Sequence, residues 1–493
     1  MFAIGKGVLY LVPEIALTSQ VIGQIIARFG KAVAVLHSHL ADTERFDQWQ
    51  RIRLGEAPII IGARSAIFAP IPNLGLIVVD EEHEPSYKQE VQPRYHTRQV
   101  ALQRARGAKA VVVLGSATPS LESYCQAQEN EFAMLQLPER VEQRPMPKVE
   151  VVDLRDEFKQ GRPSALSAPL CEAIKEALAN KQQTILFLNR RAYASFLLCR
   201  LCGQVPECPN CSVSLAYHQT GNDLRCHHCE YVCRVPKICP KCNGNEMKPF
   251  GVGTQRVEEE TRLLFPDAKI VRLDKDVLSK KTAYLDVLHA FRTGEADILV
   301  GTQMVAKGLD FPRVAVVGVI NADTAMHLPD FRAGERTFQL LTQVAGRAGR
   351  GNVPGKVIAQ TFNPEHPAIQ FGQNHDFVGF YEQEITHRRQ LNYPPFSQLV
   401  NFIISHKEDA RAEEVAADLA NELRSEVTKI GTNAEALGPA ACPISKIKTL
   451  YRRHVLLKAP LNADAAQIAR NVIARIDTKG CQLTIDVQPQ SLM

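Results

Sequence analysis

The chain has 493 residues, of which 45% are hydrophobic and 23% charged, and a formal net charge of +5. That length is too great for one core and fits three or four domains at roughly 100–200 residues each, with the composition of a folded rather than a disordered chain. The charge is too small to announce a nucleic-acid partner, so any such surface must be a local patch, and no run of about 18 apolar residues is present to form a membrane helix.

Two blocks of short apolar runs stand out along the chain. The first holds Val8–Val12, Ala32–Leu36, Ile59–Ile61, Leu76–Val79 and Val111–Leu114. The second holds Ile185–Leu188, Lys269–Val271, Ile298–Val300, Val314–Ile320 and Val357–Ala359. Runs this short, rich in Val and Ile, predict strands buried on both faces. Helical stretches such as Ala168–Asn180 and Lys281–Arg292 separate them. Such alternation predicts parallel sheets covered by helices, here two α/β lobes. From Asn392-Tyr393-Pro394-Pro395 onward the pattern changes to mixed pieces, Leu399–Ile404 and Arg411–Val427 among them, which predict a small α+β domain.

Nine of the thirteen cysteines fall between Cys199 and Cys242. They include four pairs: Cys199 with Cys202, Cys208 with Cys211, Cys226 with Cys229, and Cys239 with Cys242. Each pair offers two thiolates from a tight knuckle, and eight thiolates make two tetrahedral Zn²⁺ sites. The order of pairing is open at this point. Cys233 is left over, and His227 and His228 are read as surface or supporting residues rather than ligands. So small a segment buries little core, so bound zinc must supply most of its folding energy. The clustering favours metal over disulfides, and with a start, Met1–Lys6, that lacks a secretory leader it points to the cytoplasm.

Polar motifs follow the strands of the first block, where ligands bind in open parallel sheets. Asp80-Glu81-Glu82-His83 follows Leu76–Val79, and Gly115-Ser116-Ala117-Thr118 ends the next run. A carboxylate at a strand end can hold Mg²⁺, here Asp80, and its neighbour Glu81 can polarise an attacking water in phosphoryl transfer. Taken alone, an Asp-Glu pair is equally an ordinary solvated loop. Far downstream, Gln343-Val344-Ala345-Gly346-Arg347-Ala348-Gly349-Arg350 places Arg347 and Arg350 on one helix face, suited to charge on a transferring phosphate. Pro85-Ser86-Tyr87-Lys88-Gln89 and Arg94-Tyr95-His96 mix aromatic and basic residues, and Tyr87 is expected to stack on a base.

In this order the motifs resemble those of superfamily 2 DNA helicases. Asp80–His83, Ser116–Thr118 and Gln343–Arg350 are similar to motifs II, III and VI. Val12–Thr18, Gly62–Ser65, Asn189–Arg191 and Gly301–Pro312 are similar to motifs Ia, Ib, IV and V. The resemblance implies two RecA-like lobes that turn over ATP with Mg²⁺. It implies nucleotide contacts from Asp80, Glu81, Gln343, Gly308, Asp310, Arg347 and Arg350, and DNA-backbone contacts from Thr18, Arg64, Ser65 and Thr302. The zinc insertion between motifs IV and V narrows the resemblance to the replication-restart helicases. From that family follow 3′-to-5′ movement on single-stranded and forked DNA, and the primosome proteins and single-stranded-DNA-binding protein as partners. The family also implies an interleaved zinc order, with Cys199, Cys202, Cys239 and Cys242 on one ion and Cys208, Cys211, Cys226 and Cys229 on the other.

The resulting layout is residues 1–145 for lobe 1, 146–198 and 244–375 for lobe 2, 199–243 for the zinc insertion, and 376–493 for a C-terminal DNA- and fork-binding domain. The phosphate loop Gly-x-x-x-x-Gly-Lys-[Ser/Thr] is not found. Gly5-Lys6-Gly7, Gly30-Lys31-Ala32 and Gly355-Lys356-Val357 all lack its hydroxyl residue, so the loop is expected upstream of Met1. On this reading the chain alone hydrolyses ATP negligibly. A DNA-binding scaffold without hydrolysis is the rival reading.

Overall fold

The computed structural model describes residues 5–13, 19–38, 40–138, 146–161, 164–188, 196–211, 213–218, 221–250, 253–273, 281–302, 311–349 and 355–492. Thr18, Asn189–Arg191, Gly308, Asp310 and Arg350 lie outside them. Two compact units are found, one built on residues up to Leu135 and the other on residues from Gln136 onward.

The first unit is a five-stranded sheet of β1 (Gly7–Leu11), β2 (Val33–Leu36), β3 (Ile59–Gly62), β4 (Leu74–Asp80) and β5 (Val111–Gly115), in the order β2-β3-β1-β4-β5. Every pairing is parallel. Continuous apolar strands demand cover on both faces, and Leu9, Leu11, Ile60, Ile77 and Val79 are fully buried. Gly62 ends β3 where a Cβ would meet the Ala66 Cβ at 2.4 Å and the Leu36 carbonyl at 2.6 Å, so only glycine lets the chain turn there. β5 forms an open edge. Its sequence, Val-Val-Val-Leu-Gly, is that of an interior strand, yet Val111 is 51% and Val113 43% exposed.

In the second unit, β6 (Lys148–Asp153) and β7 (Gln183–Phe187) precede the cysteine-rich insertion. The insertion holds β8 (Phe196–Cys199), β9 (Ala216–His218), β10 (Asp223–Arg225), β11 (Val232–Arg234) and β12 (Met247–Phe250). β8 and β12 pair as its antiparallel base, and β9, β10 and β11 form a meander. β13 (Ile270–Leu273), β14 (Ile298–Gly301), β15 (Val314–Val319) and β16 (Lys356–Thr361) then complete a parallel sheet ordered β13-β14-β7-β15-β16-β6. Its middle strands β14, β7 and β15 are buried at every position, including polar Gln183 at the start of β7, which donates to the Phe291 and Ala296 carbonyls.

The last sheet is antiparallel: β17 (Ser397–His406), β18 (Glu435–Ile447), β19 (Leu450–Pro460) and β20 (Gln482–Val487), in the order β18-β19-β17-β20. The helix Asp409–Ile430 packs on it through Ala412, Val415, Ala416, Leu419, Ala420 and Leu423, a three-four spacing that makes one apolar stripe. Gly431 ends that helix at φ +70°, the left-handed stop glycine takes without penalty.

Arg388 on the helix Phe377–Gln390 binds the pieces of this unit together. Its side chain is 1% exposed, donating to Glu335 at 2.7 Å and Glu384 at 3.1 Å. The guanidinium lies 5.2 Å from the Phe331 ring, which stacks on Tyr393 at 4.6 Å. A buried ion pair adds little net stability, but breaking one leaves a charge without a partner. Arg388→Leu is expected to lower unfolding stability by about 3–5 kcal/mol in denaturant titration. A loss below about 1 kcal/mol would mean that Glu335 relaxes to solvent.

Candidate functional site

β4 and β5 run in parallel with Asp80 opposite Gly115, so the carboxylates and the Ser-Ala-Thr turn leave neighbouring strand ends together. Asp80 Oδ2 accepts from the Tyr10 hydroxyl at 2.9 Å, and Oδ1 accepts from the Glu81 amide at 3.0 Å. Each carboxylate oxygen keeps a lone pair, which fits the donor set a hard divalent cation takes. Burial, and Asp80 beside it, push the Tyr10 phenol well above its ordinary range, so it stays a donor. Glu81 sits at φ +46°, a left-handed conformation that costs a non-glycine residue about 1–3 kcal/mol and is concentrated at working sites. Its side chain is 36% exposed.

The other two members of the motif have different tasks. His83 Nδ1 is 2.7 Å from Ser116 Oγ, which accepts from the Thr118 amide at 3.0 Å. Motif II is thereby joined to motif III. Glu82 is 2% exposed, accepting from Arg98 at 2.8 Å and from the Ser120 amide at 2.6 Å. It anchors the start of the helix Leu121–Gln128.

Tyr87 corrects an expectation. Its ring is 1% exposed, and its hydroxyl donates to the carbonyls of Leu11 at 3.0 Å and Asp80 at 2.7 Å. A ring committed inside the core offers no face to a base. The exposed aromatic nearby is Phe68, 50% exposed and edge-to-face with Tyr95 at 5.0 Å. Arg64 donates to the carbonyls of Ser86 and Lys88 at 2.9 and 2.7 Å, which organises that loop, while Ser65 is exposed.

In the second unit Thr302 follows β14 and is 8% exposed. Gln343 lies in the last turn of the helix Ala333–Ala345, with Arg347 just beyond it, both half-buried.

The cysteines gather into two groups, Cys199, Cys202, Cys239 and Cys242, and Cys208, Cys211, Cys226 and Cys229, with all sulfurs of a group within 4.8 Å of one another. Cys199–Cys242, Cys202–Cys239 and Cys208–Cys229 sulfurs stand 3.7, 3.6 and 3.6 Å apart. Four sulfurs at about 2.3 Å from a tetrahedral centre stand about 3.8 Å apart, so both groups fit one ion each. Burial pushes the Cys202 and Cys208 thiols up to about 12, so their thiolates need a cation beside them. Cys233 lies on β11, outside both groups.

His227 and His228 are not ligands, nor are they on the surface, since both are 2% exposed. His227 Nδ1 donates to the Ala441 carbonyl of β18 at 2.8 Å, and His454 of β19 donates to the His227 carbonyl. His228 Nδ1 stands 3.4 Å from the Tyr393 hydroxyl. Burial pushes His227 to about 3 and His454 to about 4, so both rings are neutral at pH 7. The Cys226–Cys229 turn therefore docks on the C-terminal sheet through hydrogen bonds of neutral histidines, beside an ion pair of Arg453 with Glu230 at 3.5 Å.

Comparison with known proteins gives four matches along the chain. Residues 3–126 match the DEAD/DEAH box helicase model and 243–352 the helicase conserved C-terminal domain. Residues 208–234 match the PriA DNA helicase Cys-rich region, and 389–490 the primosomal protein N C-terminal domain. The replication restart protein PriA of Bacillus subtilis is 47% identical over all of this chain, which spans 61% of that relative's length. Those of Treponema pallidum and Rickettsia conorii are 42% and 38% identical, over 100% and 99% of this chain, and 74% of each relative is covered. The chain belongs to the PriA family of replication restart proteins.

Proposed function

We propose that this chain is the motor, zinc and C-terminal portion of an ATP-dependent 3′-to-5′ DNA helicase. Its work is at stalled or recombined replication forks, where it starts primosome assembly, with primosome proteins and single-stranded-DNA-binding protein as partners. The observation that carries this reading is the pairing of the β4 and β5 ends, which sets Asp80-Glu81 beside Ser116-Ala117-Thr118 through the His83–Ser116 contact. Membership of the family supports the rest.

In this reading Asp80 holds Mg²⁺ and Glu81 takes the proton of the attacking water. Bound Mg²⁺ supplies charge for the phosphates. Gly308, Asp310, Gln343, Arg347 and Arg350 serve the nucleotide from the second lobe. Thr18, Arg64, Ser65 and Thr302 serve the DNA backbone, which positions a strand without reading it. His83 carries the state of the carboxylate site to the Ser-Ala-Thr turn. The phosphates are cradled by a segment outside this chain, and the open edge of β5, with Val111 and Val113 exposed, suits an added strand. Zn²⁺ fills both cysteine groups.

In a longer chain that includes the phosphate loop, Glu81→Gln is expected to cut DNA-stimulated ATP hydrolysis by about 10²–10⁴-fold while nucleotide binding survives. This chain by itself is expected to hydrolyse ATP negligibly, since positioning is most of phosphoryl-transfer catalysis. Equal turnover from the short and long chains would place a phosphate site within these residues and end this account. For the metal, elemental analysis of protein purified under reducing conditions is expected to give about two zinc ions per chain. Cys208→Ser is expected to lose one of them, and retention of both in that variant would break the assignment of ligands.

A further inference from the structure

A cavity of about 220 Å³ opens at the C-terminal end of the second parallel sheet, beside the base of the zinc insertion. Phe158, Arg200, Phe250, Arg256, Asn321 and Phe362 line it. They come from six places in the sequence: after β6, after β8, the end of β12, the helix Thr254–Leu264, and the ends of β15 and β16. Insertion and sheet therefore build it jointly.

Its walls are aromatic and held in place. Phe250 stands edge-to-face on Phe362 at 5.6 Å and tilted against Phe196 at 5.5 Å. Phe158 is half-buried, with the Arg200 guanidinium 5.8 Å from its ring centre. Among the described residues that guanidinium has no hydrogen-bond partner. Arg256, in contrast, is paired with Glu260 at 2.8 Å. Glu157, the acidic residue of the lining, accepts from the Ala168 amide at 3.2 Å.

Asn321 adds a directed donor. It is 7% exposed, and its Oδ1 accepts from the Thr324 amide at 2.9 Å and hydroxyl at 3.1 Å. Those two bonds fix which way the amide points. Its Nδ2 has no partner among the described residues, so an accessible donor on a largely buried side chain lines the cavity ready for an acceptor.

We propose that this cavity receives one unstacked base of a single DNA strand. The base lies against Phe158 and Phe250, a ring carbonyl accepts from Asn321 Nδ2, and Arg200 holds a neighbouring phosphate. The cavity is smaller than the roughly 300–1,000 Å³ of pockets that take larger ligands, so it suits a single ring system. Every base has a π face, so the pocket grips a strand with little regard to sequence, and the donor favours bases with carbonyl oxygens. The position agrees as well. Thr302 and Asn321 follow β14 and β15, which flank β7, so the two strand ends lie two strand spacings apart, about 10 Å. The inference rests on the single-strand-binding reading above and names a subsite within it.

The test uses this chain with a short thymidine tract and an abasic tract of equal length, followed by fluorescence anisotropy. The unaltered chain is expected to prefer the thymidine tract by about 5-fold or more, since stacking is worth roughly 1–3 kcal/mol per base. Phe158→Leu keeps the apolar bulk and removes the aromatic face. It is expected to narrow that preference several-fold, with little change on the abasic tract. Arg200→Gln is expected to weaken both tracts alike and to lower the logarithmic salt slope by about 0.7, the share of one single-strand phosphate. Tracts carrying 5-iodo-deoxyuridine are expected to crosslink at Phe158 or Phe250. Strong binding by the unaltered chain, with full base preference in Phe158→Leu and crosslinks elsewhere, would overturn the pocket and leave the DNA reading standing. No binding by the unaltered chain to either tract would remove both.

Discussion

The hydroxyl of Tyr87 spans the carbonyls of Leu11 and Asp80, and the geometry of the first unit depends on that bridge. Carbonyls at the C-terminal ends of parallel strands have no further strand partner and must be satisfied locally or by water. A single buried phenol satisfies two of them at once. It thereby fixes the strand of motif Ia against the strand of the carboxylates. Asp80 can then be pinned by Tyr10, and Glu81 can be turned into its left-handed conformation. Burial pushes the Tyr87 phenol far above its ordinary range, so the bridge persists at any pH the fold survives. The residue type expected on the DNA surface belongs instead to the frame that holds the carboxylates.

Much of the architecture was legible because buried parallel strands have a signature that competes with little else. β3, β14, β15 and the Ile185–Phe187 part of β7 are unbroken apolar runs, and the structure finds strands at each. β6 escaped notice because it is an edge strand, Lys-Val-Glu-Val-Val-Asp, whose alternating charges are those of a solvated segment. The cysteine spacing announced the metal groups, the family resemblance implied their interleaved order, and the sulfurs gather in that order where β8 and β12 close the base of the insertion. The site was legible as a set of motifs but not as a geometry. Nothing in the sequence indicates that Tyr87 points inward, that Glu82 serves the helix after motif III, or that Asn321 lines a cavity. These are outcomes of packing between segments far apart in the chain. His227 and His228 were underrated for the same reason, since their partners on β18 and after the helix Phe377–Gln390 lie more than a hundred residues away.

The second unit also shows how a poorly apolar insertion is kept in place. Ser214 Oγ lies 3.3 Å from His327 Nδ1, and His327 Nε2 lies 3.1 Å from the Asn363 side chain, which donates to buried Asp323 at 2.8 Å. Burial raises Asp323 to about 6, and it lowers His327 to about 3. The chain of hydrogen bonds runs from the insertion to the end of β16 without requiring a charged histidine. Polar networks of this kind are costly when half satisfied, so they tie the insertion to one seating on the sheet.

The turn between Cys226 and Cys229 belongs to two structures at the same time. Its sulfurs complete a metal group, while the side chain and carbonyl of His227 are held by β18 and β19. Oxidative damage at either cysteine would therefore not stay local. A displaced knuckle would also withdraw a donor from the Ala441 carbonyl and an acceptor from His454, loosening a sheet whose own cysteine, Cys442, is buried beside Ala441. The Cys226–Cys229 turn and the C-terminal sheet share one set of hydrogen bonds, so a displacement of either is felt by the other.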